Sequence, residues 1–143
     1  MTVLEYLLRP EALRKEIARK TLRVGYLRQF ADRLTSRIQE ARVTSSPDPA
    51  RMQAFLSEAA DEETEIARLR EKLERVVCET AIYLSFLPDE HMIQLMELRY
   101  LDGMPWMDIA VRMDYHISAV YKINNRALEM LPPPPAVAGD SPV

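Results

Sequence analysis

The sequence predicts an all-α protein: a long antiparallel helical hairpin of coiled-coil type, followed by a C-terminal helix-turn-helix module. Three observations predict it. A seven-residue apolar repeat runs from about residue 10 to 41 and returns from 52 to 87, a proline-bearing break separates the two runs, and residues 88–131 divide into three short helical segments. At 143 residues with 48% hydrophobic side chains, the chain has enough apolar material for a core.

The first long helix starts near Pro10, a residue suited to the first helical position, with Glu11 in the opening turn where the helix dipole favours an anion. Its stripe is Leu13, Ile17, Lys20, Val24, Leu27, Ala31, Leu34, Ile38 and Ala41, and Lys20 is its one polar member. Residues 42–49, Arg-Val-Thr-Ser-Ser-Pro-Asp-Pro, collect turn formers and two prolines that cannot continue a helix. The second helix begins just after Pro49. Its stripe is Met52, Phe55, Ala59, Glu62, Ile66, Leu69, Leu73, Val76, Thr80, Tyr83 and Leu87, with Glu62 and Thr80 as polar exceptions.

So short a connection joins antiparallel neighbours, so the two stripes face each other. With Ala41 opposite Met52, the flanks set Arg37 near Glu58 and Arg28 near Glu63, both attractive. The same register sets Arg23 near Lys72 and Glu16 near Glu79, both repulsive. Leu22, Phe30, Leu56, Val77 and Ile82 lie off the stripes, so the apolar surface is wider than one two-stranded seam covers. A short helix in residues 2–9, or a second subunit in a four-helix packing, is expected to cover it, which makes a homo-oligomer the expected state.

Charge narrows the functional classes. Lys+Arg total 19 against 22 Asp+Glu, a net charge of −3, so no global basic field marks a polyanion partner. The sign changes along the chain, from +5 over residues 1–46 to −4 over 47–87 and −3 over 88–131. One cysteine, Cys78, makes no internal disulfide, and with His91 and His116 it has no zinc spacing, so no metal site is expected. Three glycines leave no phosphate-cradling loop. No cofactor is expected, no catalytic constellation emerges, and the chain reads as a non-enzyme. The longest apolar run, residues 81–87, is far short of the roughly 20 residues a bilayer requires, so no membrane partner is expected and the location reads as cytoplasmic.

In residues 88–131 the first segment begins at Pro88, carries Asp89 and Glu90 in its opening turn, and ends before Asp102-Gly103, where glycine takes the left-handed cap. Met92, Leu95, Met96 and Leu98 form its buried side. The second starts after Pro105, with Trp106, Ile109, Ala110 and Met113 on one face, and Trp106 serving as an anchor between helices. Asp114, Tyr115 and His116 make a three-residue turn, and the third segment runs from about Ile117 to Leu131 with Val120, Ile123, Ala127 and Leu131 inward. Residues 132–143 open with four prolines and read as a disordered tail.

Within this segment LRYLDGMPWMDIAVRMDYHISAVYKINNRAL resembles region 4 of sigma-70-type transcription factors. The resemblance rests on Leu98-Arg99-Tyr100, Gly103, Ile109-Ala110, Val120 and Ala127-Leu128 at that family's spacings. The whole plan, a helical hairpin followed by this module, is similar to small phage proteins of the ArpU type of transcriptional regulator. The resemblance covers residues 88–131 and implies double-stranded DNA as a partner, with RNA polymerase as a further one. The chain departs from the pattern at Pro105, Asp108, Asp114 and His116, which stand where the family has serine, glutamate, glycine and serine.

A recognition helix hides one side and offers the other to base edges in the major groove. The outward set is Ser118, Tyr121, Lys122, Asn125, Arg126 and Glu129. Ser118 lies in the first turn, closest to the bases. Lys122 and Asn125 suit base edges, Tyr121 and Arg126 suit phosphate, and Arg112 and His116 reach the DNA backbone from the turn. The module's net −3 argues that DNA binding is assisted by dimerisation, by the basic first helix or by polymerase. The competing reading is an adaptor that docks on polymerase or another phage protein without touching DNA.

Overall fold

The computed structural model describes residues 1–40 and 49–137, with positions 38–40 described by backbone alone. Among the described residues there are six α-helices, one π-helical turn and no strand, so the chain is all-helical as the repeat predicts. The helices are α1 (Val3–Leu7), α2 (Arg9–Glu40), α3 (Pro49–Leu84), α4 (Glu90–Met96), α5 (Trp106–Met113) and α6 (Ile117–Met130). The π-helical turn, Glu97–Leu101, continues α4. The chain divides into two compact units, Met1–Ala12 with Glu74–Val143, and Leu13–Leu73.

The unit of residues 13–73 is an antiparallel helix pair, because Thr35 of α2 bonds Met52 of α3 while Lys20 bonds Glu62. Every stripe position whose side chain is described is buried or half-buried, and Val24, Leu27, Ala59 and Ile66 form the central cluster. The side chain of Ile38, Ala41 and residues 42–48 of the break predicted over 42–49 lie outside the described residues, and Pro49 is the first residue of α3. The register differs from the one set by Ala41 opposite Met52. Thr35 takes that place, a slide of about one heptad, which keeps both stripes in the seam while changing flanking pairs. Glu58 pairs with Arg23 rather than Arg37, whereas the Arg28–Glu63 pair forms at 2.6 Å.

The two polar stripe members of this unit explain the register. Lys20 Nζ lies 3.2 Å from Glu62 Oε2, both side chains about a quarter exposed, so each polar exception is the other's partner. A register that separated them would leave two charges against apolar neighbours, a cost of several kcal/mol by order of magnitude.

The other unit opens with a capping box on α1. Thr2 Oγ1 accepts from Glu5 N–H and Glu5 Oε2 accepts from Thr2 N–H, each at 3.1 Å. Its core gathers Tyr6, Leu7, Leu84, Leu95, Met96, Ile109 and Val120. Fully burying one such aliphatic side chain contributes about 1.5–3 kcal/mol. The Tyr6 and Tyr83 rings meet edge to face with centroids 4.8 Å apart. Arg9 closes this corner: its guanidinium sits 3.9 Å from the Tyr6 ring centre and 3.2 Å from Glu79 Oε2. Thr80, the remaining polar exception, is fully buried and donates its hydroxyl to the Val76 carbonyl at 2.7 Å.

The chain after α6 has no regular structure through residue 137, yet it lies on this core. The Tyr83 hydroxyl donates to the Pro132 carbonyl, and Val137 packs against the cluster. Residues 138–143 of the predicted tail lie outside the described residues.

Candidate nucleic-acid interface

The candidate surface is the outer side of α6, and its rotation is set by what lies beneath. Asp89 caps α4 by accepting from His91 N–H at 2.8 Å. At Glu97 the helix widens into the π-helical turn, where Asp102 N–H reaches the Glu97 carbonyl at 3.1 Å, and both Leu98 and Tyr100 are buried. Gly103 ends it with φ 70°, the left-handed conformation the sequence assigns it. The Tyr100 hydroxyl donates to Asn124 Oδ1 at 2.7 Å, between a tyrosine 4% exposed and an asparagine 8% exposed. Burial raises the Tyr100 phenol above the ordinary tyrosine range, Arg99 and the Asn124 bond opposing that shift.

Trp106, half-buried at the start of α5, joins three elements. Its ring stands edge-on to Tyr100 at 6.4 Å and lies 5.5 Å from the Tyr121 ring, and the Arg99 guanidinium is 4.4 Å from its centre. Arg99 is held there by donating to the Met104 carbonyl at 3.1 Å. Trp106 is thus an anchor between helices, and it supports Tyr121 from behind.

Pro105 supplies no side-chain cap to α5, and Asp108 stands in the first turn, where its charge suits the helix dipole. At the other end Asp114 adopts φ 57°, ψ 44°, and its N–H returns to the carbonyls of Ala110 and Val111. Aspartate is among the few non-glycine residues that accept this conformation, so the tight turn is kept where glycine is lacking. His116 then caps α6: its Nδ1 accepts from Ser118 N–H at 3.2 Å and lies 2.8 Å from Ser118 Oγ. With Nδ1 engaged in the cap, Nε2 is the ring nitrogen left for another partner.

Ser118, Tyr121, Lys122, Asn125, Arg126, Arg112 and His116 are all exposed. Those on α6, with Glu129, occupy an arc of ~140° at 100° per residue, and from Ser118 to Arg126 the helix rises ~12 Å. The opposite side carries Val120 and Ala127, both fully buried, with Asn124 between them. Asn124 and Asn125 are neighbours with opposite duties, one locked in the core and one free on the surface.

The sequence reading missed Asn124 and Arg99 as site-building residues. The signal for Asn124 was present, since 120, 124, 127 and 131 follow the same four-three-four spacing and place it inward. Among the described residues no group of three or more His, Cys, Asp or Glu side chains is placed to hold a metal ion, and no helix is long and apolar enough to cross a membrane. No protein-family description, curated protein or solved structure matches the chain.

Proposed function

We propose that this protein is a DNA-binding transcriptional regulator of phage or prophage type, using a sigma region 4-like helix-turn-helix in which α6 enters the major groove. The observation that carries the reading is the division of α6. Its inner side is fixed by Val120, Ala127 and the Tyr100–Asn124 bond, while on its outer arc Lys122, Asn125 and Arg126 are exposed with no hydrogen-bond or ion-pair partner among the described residues. A helix of this diameter fits a groove ~12 Å wide.

In this reading Ser118, Lys122 and Asn125 meet base edges, and Tyr121, braced by Trp106, meets phosphate together with Arg126. Arg112 and Nε2 of His116 add backbone contacts from the turn. The module's charge of −3 opposes approach to a polyanion, so binding draws on help, from polymerase or from the +5 N-terminal segment.

An adaptor that contacts protein alone is the second reading. It is favoured by Met107 and Val111, one turn apart on α5 and 62% and 81% exposed, an apolar pair with no use in a DNA contact. Selection of bound fragments from random duplexes, with and without RNA polymerase, separates the two. Regulation predicts an enriched sequence that the Lys122→Ala/Arg126→Ala variant fails to enrich. Each lost base contact is expected to cost about 1–3 kcal/mol, and each lost phosphate contact about one unit of salt slope. No enrichment under either condition favours the adaptor.

A further inference from the structure

The outward side of α2, within the unit of residues 13–73, carries an exposed apolar surface, of which Phe30 also meets α3, its ring centre 5.9 Å from that of Phe55. Leu22, Tyr26 and Phe30 follow one another at four-residue steps and are 59%, 53% and 44% exposed, so they form one apolar ridge ~12 Å long. A groove of about 740 Å³ runs along one flank of the ridge, bordered by Arg19, Arg23 and Glu62. Another of about 610 Å³ runs along the other, bordered by Ala18, Gly25 and Gln29. Gly25 sits in the floor of the second groove, and a Cβ built on it meets nothing within 4 Å. A glycine inside a helix weakens it relative to alanine, and nothing in this fold requires the space it leaves.

The charges around the ridge select its occupant. Arg19 stands three residues before Leu22 and Arg33 three residues after Phe30, and neither has an ion pair among the described residues. Of the nearby acids, Glu58 is engaged by Arg23 and Glu62 by Lys20, while Glu16 lies ~80° round the helix from Tyr26. Asp32 lies ~120° round the helix from Tyr26. Pairing two copies of this ridge about Tyr26 sets Arg19 against the second copy's Arg33 when antiparallel, and each arginine against its own counterpart when parallel. Both arrangements oppose like charges. Duplex DNA would answer the arginines but has no apolar surface to cover three large side chains.

We infer that this ridge is the docking site of an amphipathic helix from another protein, one with an apolar stripe flanked by Asp and Glu. The pattern is that of helix-in-groove recognition, with anchors at helical spacing and charge at the rim. The inference goes beyond the DNA-binding reading and rests on a different helix, so either stands if the other fails.

The test uses the full chain and a labelled helical peptide of about five turns, with leucines on one face and glutamates beside them. The same peptide with lysines for glutamates, and a random duplex, serve as the other probes. The glutamate peptide is expected to bind at least about tenfold more tightly than the lysine peptide. Leu22→Ser/Tyr26→Ser is expected to weaken it by a similar factor while helical content, read by circular dichroism, is unchanged. Arg19→Glu/Arg33→Glu is expected to reverse the preference between the peptides. Three outcomes overturn the inference: no preference between the peptides, a dimer in light scattering that Leu22→Ser/Tyr26→Ser converts to monomer, or a loss of duplex affinity in that variant with peptide affinity intact.

Discussion

Replacing Asn124 by leucine removes the acceptor of the Tyr100 hydroxyl while nearly preserving side-chain volume, and the structure sets the size of the effect. With Tyr100 4% and Asn124 8% exposed, water does not replace the lost partner, so the orphaned hydroxyl carries its full desolvation penalty. That penalty is about 1–3 kcal/mol, and Tyr100→Phe, which orphans the amide instead, falls in the same range. Removing both partners leaves no orphan, so the double variant is expected near wild type, and the coupling between the two sites, equal to the sum of the two single losses, is about 2–6 kcal/mol. Urea unfolding of the four proteins reads this directly, and for a chain of this size each kcal/mol moves Tm by roughly 2–4 °C. A double variant whose loss equals the sum of the single losses would refute the reasoning, because the hydroxyl would then have another partner and this bond would not set the rotation of α6.

The same tyrosine gives a pH prediction: burial raises its phenol pKa in the folded state, so its contribution is intact below the unfolded value of about 10 and is lost as pH climbs through the folded one. Tyr83, raised by burial and by Tyr6, acts with the same sign, so alkaline titration should unfold the wild type more steeply than Tyr100→Phe. Lys20→Met, leaving Glu62 unpaired at the seam, is expected to cost about 2 kcal/mol, between the values for exposed and fully buried pairs. Lys20→Leu/Glu62→Leu is expected to match or exceed wild-type stability in the same urea assay. His116→Ala removes the α6 cap and is expected to cost about 1 kcal/mol and to speed amide exchange at Ser118, with His116→Asn restoring both. Gly25→Ala is expected to raise stability by about 0.5–1 kcal/mol, read as a higher urea midpoint.

The heptad stripes were legible because each position repeats the same demand for burial, whereas of the off-stripe apolar residues expected to be covered, Leu56 and Val77 are half-buried and Leu22, Phe30 and Ile82 are exposed. The register was not, since a seven-residue repeat is unchanged by a slide of seven. Only the lone polar members Lys20 and Glu62 break that degeneracy, and they specify it when paired. In the C-terminal segment the turns were readable from single residues, Gly103 and Asp114, because few side chains accept a left-handed backbone. The π-helical turn was not readable, because it depends on burying Leu98 and Tyr100 together rather than on any local propensity. Capping of α6 by an imidazole was likewise hidden, His116 having no strong preference for that role.

Proximity mapping from α6 tests the functional reading most directly. With Cys78 replaced by serine, a photocrosslinker or cleavage reagent is attached at Ser118→Cys, and the protein is bound to its selected duplex. The account predicts modification confined to a few base positions reached through the major groove, abolished by Lys122→Ala/Arg126→Ala. Modification spread evenly along the duplex, or found only on a protein partner, would contradict it.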